Sequence, residues 1–267
     1  MNLGEIRKIK FLEVKMECKF CLKDKKLIDA HIIPRCFFEA MRDQGDSRPF
    51  QLLSNTQNEY PQKLWIGSYD KNILCEDCEK IFQKYDDYAC KTLLSSINNS
   101  EYALDPSGNK IGYKLENVDY ENLKLFFLSV LWRASASKRK EFKKVEIGPF
   151  ENNLRDMIQK DNPGGSNDFL VIIRRFVDIL GKNFLMDPYI FKIDGVNFYR
   201  FYLGAGYEFH IKVDKRNLKE SATLCALALK PESSLYVPFR DNLLSSKEFP
   251  ILKDIFNKSN QKKDNHE

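Results

Sequence analysis

Glu17-Cys18-Lys19-Phe20-Cys21 and Cys75-Glu76-Asp77-Cys78 enclose Asp29-Ala30-His31-Ile32-Ile33-Pro34, and this stretch decides the fold of the first third of the chain. A Cys-x-x-Cys turn aims two sulfurs at one point, and thiolate is the ligand that structural zinc prefers. Two such turns separated by about 53 residues close one site only when the intervening chain folds back on the metal. The reading is a single structural Zn2+ held by Cys18, Cys21, Cys75 and Cys78. The competing reading, two unrelated redox-active turns, lacks the βαβ pattern that surrounds a thioredoxin-like motif.

Working outward, Lys26 to His31 reads as a short strand, and Pro34 opens a helix from Arg35 to about Arg42, a position that suits proline. Gln44 to Pro49 is turn-rich, and Gln51 to Lys71 reads as a long irregular connection. Lys71 to Cys75 leads into the second turn, and a helix follows from Glu76 to Leu94 with Ile81, Tyr85, Tyr88 and Ala89 on one face. Gly108 to Tyr113 reads as a turn and short strand. Asp119 to Ser137 is a strong helix, with Leu123, Phe126, Phe127, Val130 and Leu131 on one stripe and Arg133, Lys138, Arg139 and Lys140 at its C-terminal end. Phe150 to Gln159 is a further helix, closed by Asn162-Pro163-Gly164-Gly165.

The second half changes character. Phe169 to Arg174 is β-branched. Tyr189 to Ile193 and Val196 to Leu203 alternate around Asp194-Gly195, a hairpin signal, and Gly204-Ala205-Gly206 leads into the alternating Tyr207 to Val213. The expected class is α+β: a zinc-stapled module over 1–100, a helical and antiparallel-sheet region over 101–256, and a disordered polar tail over 257–267.

Composition sets bounds. The chain has 267 residues, is 43% hydrophobic, and carries a formal charge of +5 from 43 basic and 38 acidic residues. The core is ample, and the charge permits nucleic acid without demanding it. The first 15 residues lack a signal peptide's apolar core and no run is long enough for a membrane span, so a cytoplasmic location without membrane contact is expected. Seven cysteines in such a chain argue against a disulfide framework, so Cys36, Cys90 and Cys225 read as free buried thiols.

The order Cys18-Lys-Phe-Cys21, Ala30-His31-Ile32-Ile33-Pro34, Asn72-Ile-Leu-Cys75-Glu-Asp-Cys78 resembles the cysteine-bearing branch of the HNH endonucleases over about residues 17–90. The resemblance implies a ββα-metal module. It makes His31 the general base that activates water, Asn72 the residue that orients the site, and a divalent ion, Mg2+ or Mn2+, the partner of the scissile phosphate. Two positions depart from the pattern. Ala30 stands where an acid or histidine precedes the base, and Glu79 stands where a last histidine follows the second turn. A carboxylate also ligates such ions, so Glu79 and Asp70 become the candidate ion ligands. The substrate implied is nucleic acid, DNA before RNA, in defence against foreign DNA or in mobile elements.

Other signals read both ways. Tyr69-Asp70-Lys71-Asn72 and Tyr85-Asp86-Asp87-Tyr88 flank the second turn and either reach a metal or cap turns and face water. Trp132 to Lys140 either contacts phosphate or is a solvated helix end. Arg174-Arg175 is a weaker basic signal. His210, alternating in a strand, reads as structural, and His266 lies in the tail. The alternative function is an inactive zinc-stabilised module that binds nucleic acid or protein. The C-terminal region is open to a protein partner, a small ligand or a second copy of the chain.

Overall fold

The computed structural model describes residues 16–253 apart from 44–45, 57–58, 219–225, 232–233, 241, 246–249 and 251–252. The expectations for residues 1–15, for Cys225, and for the tail with His266 lie outside the described residues.

The described chain mixes helices with antiparallel sheet, the α+β class. Strands β1 (Met16–Glu17) and β2 (Asp24–Lys25) pair around the first cysteine turn. Strand β3 (Ala30–His31) leads through Pro34, which caps helix α1 (Arg35–Glu39) with its φ of −57°. The helix stops three residues earlier than the sequence suggests. The stretch expected to be irregular instead holds a hairpin, β4 (Phe50–Leu52) with β5 (Gln62–Leu64). Alternation over three residues is too short to announce a strand pair. Strand β6 (Tyr69–Asp70) then lies antiparallel to β3, with Ala30 opposite Asp70 and His31 opposite Tyr69.

Helix α2 (Glu76–Cys90) starts with Cys75 at its cap and Glu76, Asp77 and Glu79 in its first turn, where carboxylates meet the positive end of the helix dipole. Its last turn widens into a π-helical segment, Lys91–Ser95. The buried face is Cys78, Phe82, Tyr85, Asp86 and Ala89, and Ile81 stays 38% exposed. The face expected through Ile81 is therefore rotated. Phe82 turns it, because its ring fits between Phe20 (4.8 Å) and Trp132 (5.8 Å).

Strands β7 (Glu101–Leu104) and β8 (Lys110–Leu115) form a hairpin that gains a third strand, β13 (Leu235–Pro238), on its other edge. Helix α3 (Tyr120–Ala136) begins at Asp119, whose carboxylate accepts from the Asn122 N–H at 3.1 Å. It is buried almost all round, as a helix apolar on every side must be. Helix α4 (Glu151–Gln159) packs beside it. A four-stranded sheet follows, in the order β10 (Tyr189–Ile193), β11 (Val196–Gly204), β12 (Tyr207–Lys212), β9 (Val171–Arg175), with the short helix α5 (Ile179–Lys182) in the β9–β10 connection. Asp194 and Gly195 both take positive φ, 50° and 80°, the pair that a tight two-residue hairpin needs. At the next turn a Cβ on Gly206 would meet the Phe176 carbonyl oxygen at 2.5 Å, so only glycine fits.

One hydrophobic cluster takes in residues from Cys18 to Val237. Phe37 of α1 stacks on Phe126 of α3 at 5.9 Å and meets Tyr207 of β12 edge-on at 6.1 Å. Phe127 and Phe201 flank Phe209, each at 4.8 Å. Helix α3 is thus the floor on which both the cysteine turns and the C-terminal sheet rest. Cys36 and Cys90, expected as free thiols, are joined in a disulfide with their Cα atoms 6.2 Å apart. Packing brings the end of α2 under α1, and their sequence separation of 54 gives no warning of it. No helix among the described residues is long and apolar enough to cross a membrane.

Candidate metal centre and the histidine beside it

Each cysteine turn is shaped by its own backbone. In the first, the Cys18 carbonyl accepts from the Leu22 N–H at 2.8 Å and Leu22 takes a φ of 57°. In the second, the N–H groups of Cys78 (3.1 Å) and Glu79 (3.0 Å) return to the Cys75 carbonyl as α2 starts. The two are stitched together. Lys19 N–H donates to the Ile73 carbonyl at 3.0 Å, Ile28 N–H to the Leu74 carbonyl at 3.0 Å, and Cys75 N–H to the Cys18 sulfur at 3.3 Å.

The four sulfurs of Cys18, Cys21, Cys75 and Cys78 lie within 4.8 Å of one another. Sulfurs about 2.3 Å from one tetrahedral ion stand about 3.8 Å apart, and the Cys21 and Cys75 sulfurs are separated by 3.9 Å. Cys18, Cys75 and Cys78 are buried and Cys21 is partly exposed. Hydrogen bonding from the Cys78 thiol pulls the Cys18 thiol down to about 4, against burial and with help from the backbone N–H groups of Cys21, Cys75 and Phe20. The Cys78 thiol is pushed up by Cys18 and by burial. Four sulfurs this close cannot all ionise beside one another unless a cation neutralises them. The cluster therefore suits a metal ion such as zinc.

His31 lies one strand away. It is half-buried, its ring is tilted against Tyr69 with centroids 6.5 Å apart, and the Arg139 guanidinium stands over the Tyr69 ring at 5.6 Å. Burial, then the positive charge of Arg133, lowers its pKa, so the neutral imidazole is favoured. No hydrogen bond among the described residues uses its ring nitrogens. Glu79 is one residue after Cys78, and the backbone N–H of His31 favours its charged form. Burial raises its pKa, Arg133 opposes the rise, and its Oε2 is buried without a hydrogen-bond partner.

The remaining candidates sit elsewhere. Ala30 is in the core, while Asp29 faces solvent beside Lys71 at 3.7 Å, the opposite-face arrangement that strand alternation requires. Asp70 is buried and accepts from Ser137 Oγ (2.6 Å), Asn72 N–H (2.8 Å) and Lys138 N–H (3.3 Å). Burial would raise its pKa, but these donors win and hold it below the usual carboxylate value. Its oxygens tie the end of α3 to the turn after β6. Asn72 is exposed in that turn and gives Asp70 its backbone N–H. Among the described residues, the four cysteines are the only group of three or more His, Cys, Asp or Glu side chains drawn together tightly enough to hold an ion. His210 is buried in the C-terminal sheet, where its Nε2 accepts from Arg200 Nε at 2.9 Å.

Two residues next to His31 were not singled out as a pair. Arg133, assigned to a basic helix end, is fully buried, and Asp86 accepts from it at 2.7 and 2.8 Å. The available signal was an arginine inside an otherwise apolar helix. Of the rest of that stretch, Trp132 is core, Arg139 pairs with Glu141 at 2.6 Å, Lys140 with Glu59 at 3.4 Å, and Lys138 is exposed. Comparison with models of known families, with curated proteins and with solved structures returns no match to this chain.

Proposed function

We propose that the chain is a zinc-stapled, HNH-like endonuclease that hydrolyses phosphodiester bonds in nucleic acid, DNA before RNA, with a role in defence against foreign DNA. The observation that carries this reading is the placement of His31 and of the buried Glu79 carboxylate beside the four-cysteine cluster. In this reading the staple is Zn2+ on Cys18, Cys21, Cys75 and Cys78, which fixes the start of α2 against β3. His31, kept unprotonated by burial and by Arg133, takes the proton of an attacking water at a free ring nitrogen. Asn72 orients the site. The unpartnered Glu79 Oε2 is the first protein ligand for Mg2+ or Mn2+, with Asp70 as the second candidate. Such an ion, when bound, supplies positive charge to the phosphate oxygens. The exposed Lys138 and the partly exposed Arg139 give sequence-independent attraction to the backbone.

A second reading has its own support. Asp70 spends its oxygens on Ser137, Asn72 and Lys138, and no carboxylate cluster converges at His31 among the described residues. That favours an inactive zinc-stabilised module that binds nucleic acid or protein. Plasmid incubated with Mn2+ or Mg2+ and either the parent or His31→Ala separates the two. Cleavage by the parent alone supports the enzyme. Binding that weakens with salt, without cleavage, supports the module.

A further inference from the structure

We propose that Arg133 is a positioning residue for His31, so that the long central helix, outside the cysteine module, sets the geometry of the histidine. This rests on the reading of His31 as the working residue of the site. The guanidinium has five N–H donors in a fixed plane, and the structure uses all five. Nε donates to the Ser129 carbonyl at 3.3 Å. Nη1 donates to the His31 carbonyl at 2.8 Å and to Asp86 Oδ2 at 2.8 Å. Nη2 donates to Asp86 Oδ1 at 2.7 Å and to Ser129 Oγ at 3.2 Å. The ring of Phe82 lies 5.2 Å from the guanidinium carbon.

The contact to His31 spans 102 residues. Its consequence depends on what grips the other side of the same residue. Arg133 meets the His31 carbonyl, and the His31 N–H favours the charged form of the Glu79 carboxylate. Glu79 and Asp86 lie two turns apart on one helix, on the same side of it. Helix α2 therefore reaches the backbone of His31 through the Asp86–Arg133 pair, with Glu79 on the same side of the helix. The carbonyl of His31 is fixed, while its imidazole has no hydrogen bond among the described residues. A buried ion pair is a poor device for stability alone, since apolar residues of the same volume do as well or better. It is a good device for orientation, because its bonds are directional. Lysine cannot replace it, having one ammonium nitrogen in place of a planar fork.

The test uses the full chain with its metal. Arg133→Lys and Asp86→Asn are purified, and zinc content and cooperative unfolding are checked against the parent. Plasmid cleavage with Mn2+ is then resolved into kcat and KM. The expected result for both variants is a kcat at least about tenfold lower with KM within about twofold, because a group that orients the histidine without touching substrate moves the chemical step. Parental kcat in a zinc-loaded Arg133→Lys, or a raised KM with kcat unchanged, overturns the proposal. Should Arg133→Lys lose zinc or fail to fold, Asp86→Asn decides by the same criteria, since it keeps the side-chain shape. Should the parent not cleave at all, the endonuclease reading fails, and the positioning claim is judged separately on the His31 ring resonances. One sharp set in the parent that splits or broadens in the variants supports it, and one unchanged set overturns it.

Discussion

Helix α3 buries a cation near each end, and the two are treated in opposite ways. Arg133, in the last turn under His31, has a partner for every N–H. Lys124, in the second turn under the C-terminal sheet, is equally buried, and its Nζ has no hydrogen-bond partner. Its surroundings include the ring of Tyr120 at 6.0 Å and the charges of Asp168 and Lys212. One cation is integrated into a polar junction of three elements. The other is an unpaid desolvation penalty in a well-packed sheet interface. The contrast is between the two ends of α3: the cation at the histidine end is held by directional bonds and the one at the sheet end by none, although the sheet beyond it has its own buried charges in Arg200, Glu208 and His210.

The largest expected effect breaks the histidine end alone. Stripping the metal with a strong chelator, or Cys78→Ser, removes a contribution of about 10 kcal/mol or more in small zinc modules. Amide exchange is expected to accelerate over residues 17–90 while β11 and β12 keep their protection. Uniform loss of protection across both regions would show that the contrast is not real. Next comes Arg133→Met, which leaves Asp86 buried and uncompensated, a loss of about 3–5 kcal/mol in urea unfolding. Arg133→Met with Asp86→Leu is expected to recover most of that stability.

The disulfide supplies the third effect, on the same end. Opening a loop of 54 residues between Cys36 and Cys90 costs about 4 kcal/mol on a chain-entropy account. Cys36→Ser is expected to lower the urea midpoint accordingly under non-reducing conditions. Its difference from the parent should vanish with a phosphine reductant present. An unchanged midpoint without reductant would mean that the bond adds nothing to the grip of α1 on α2.

What the sequence made legible follows the same division. The sheet end was readable because alternation and turn chemistry are local: Asp194-Gly195 marks its hairpin and β10, β11 and β12 follow in order, while the place of β9 beside β12 carries no local signal. The four cysteines were readable because Cys-x-x-Cys spacing is itself a geometric statement. The histidine end was only partly readable. Its two-residue strands carry no period, the β4–β5 hairpin hides in an irregular stretch, and the Cys36–Cys90 pairing depends on helix packing. Arg133 was misread for a physical reason. A cation late in a helix meets the negative end of the dipole whether or not it is solvated, so charge position alone cannot distinguish an exposed end from a buried junction. Only the shape of Phe82, which turns Asp86 inward, makes that distinction.

The smallest effect concerns Lys124 and has the opposite sign. Burial lowers its pKa to about 7, with Asp168 opposing and Lys212 assisting. The unfolded chain returns it to about 10.4. Between those values the unfolded state binds more protons than the folded state, so stability rises with pH across that window and the full penalty is present below it. Lys124→Met removes the penalty and keeps the volume. It is expected to stabilise the chain by about 1–4 kcal/mol at pH 6.5, with the gain shrinking toward pH 10, as read from urea midpoints at the two pH values. Zinc content and the response to Arg133→Met should be unchanged, because the two ends share no polar partner. A gain that is the same at both pH values would mean that folding does not lower the pKa of Lys124. A loss of stability would mean that its ammonium has found a partner of the kind Arg133 has, and the asymmetry of α3 would disappear.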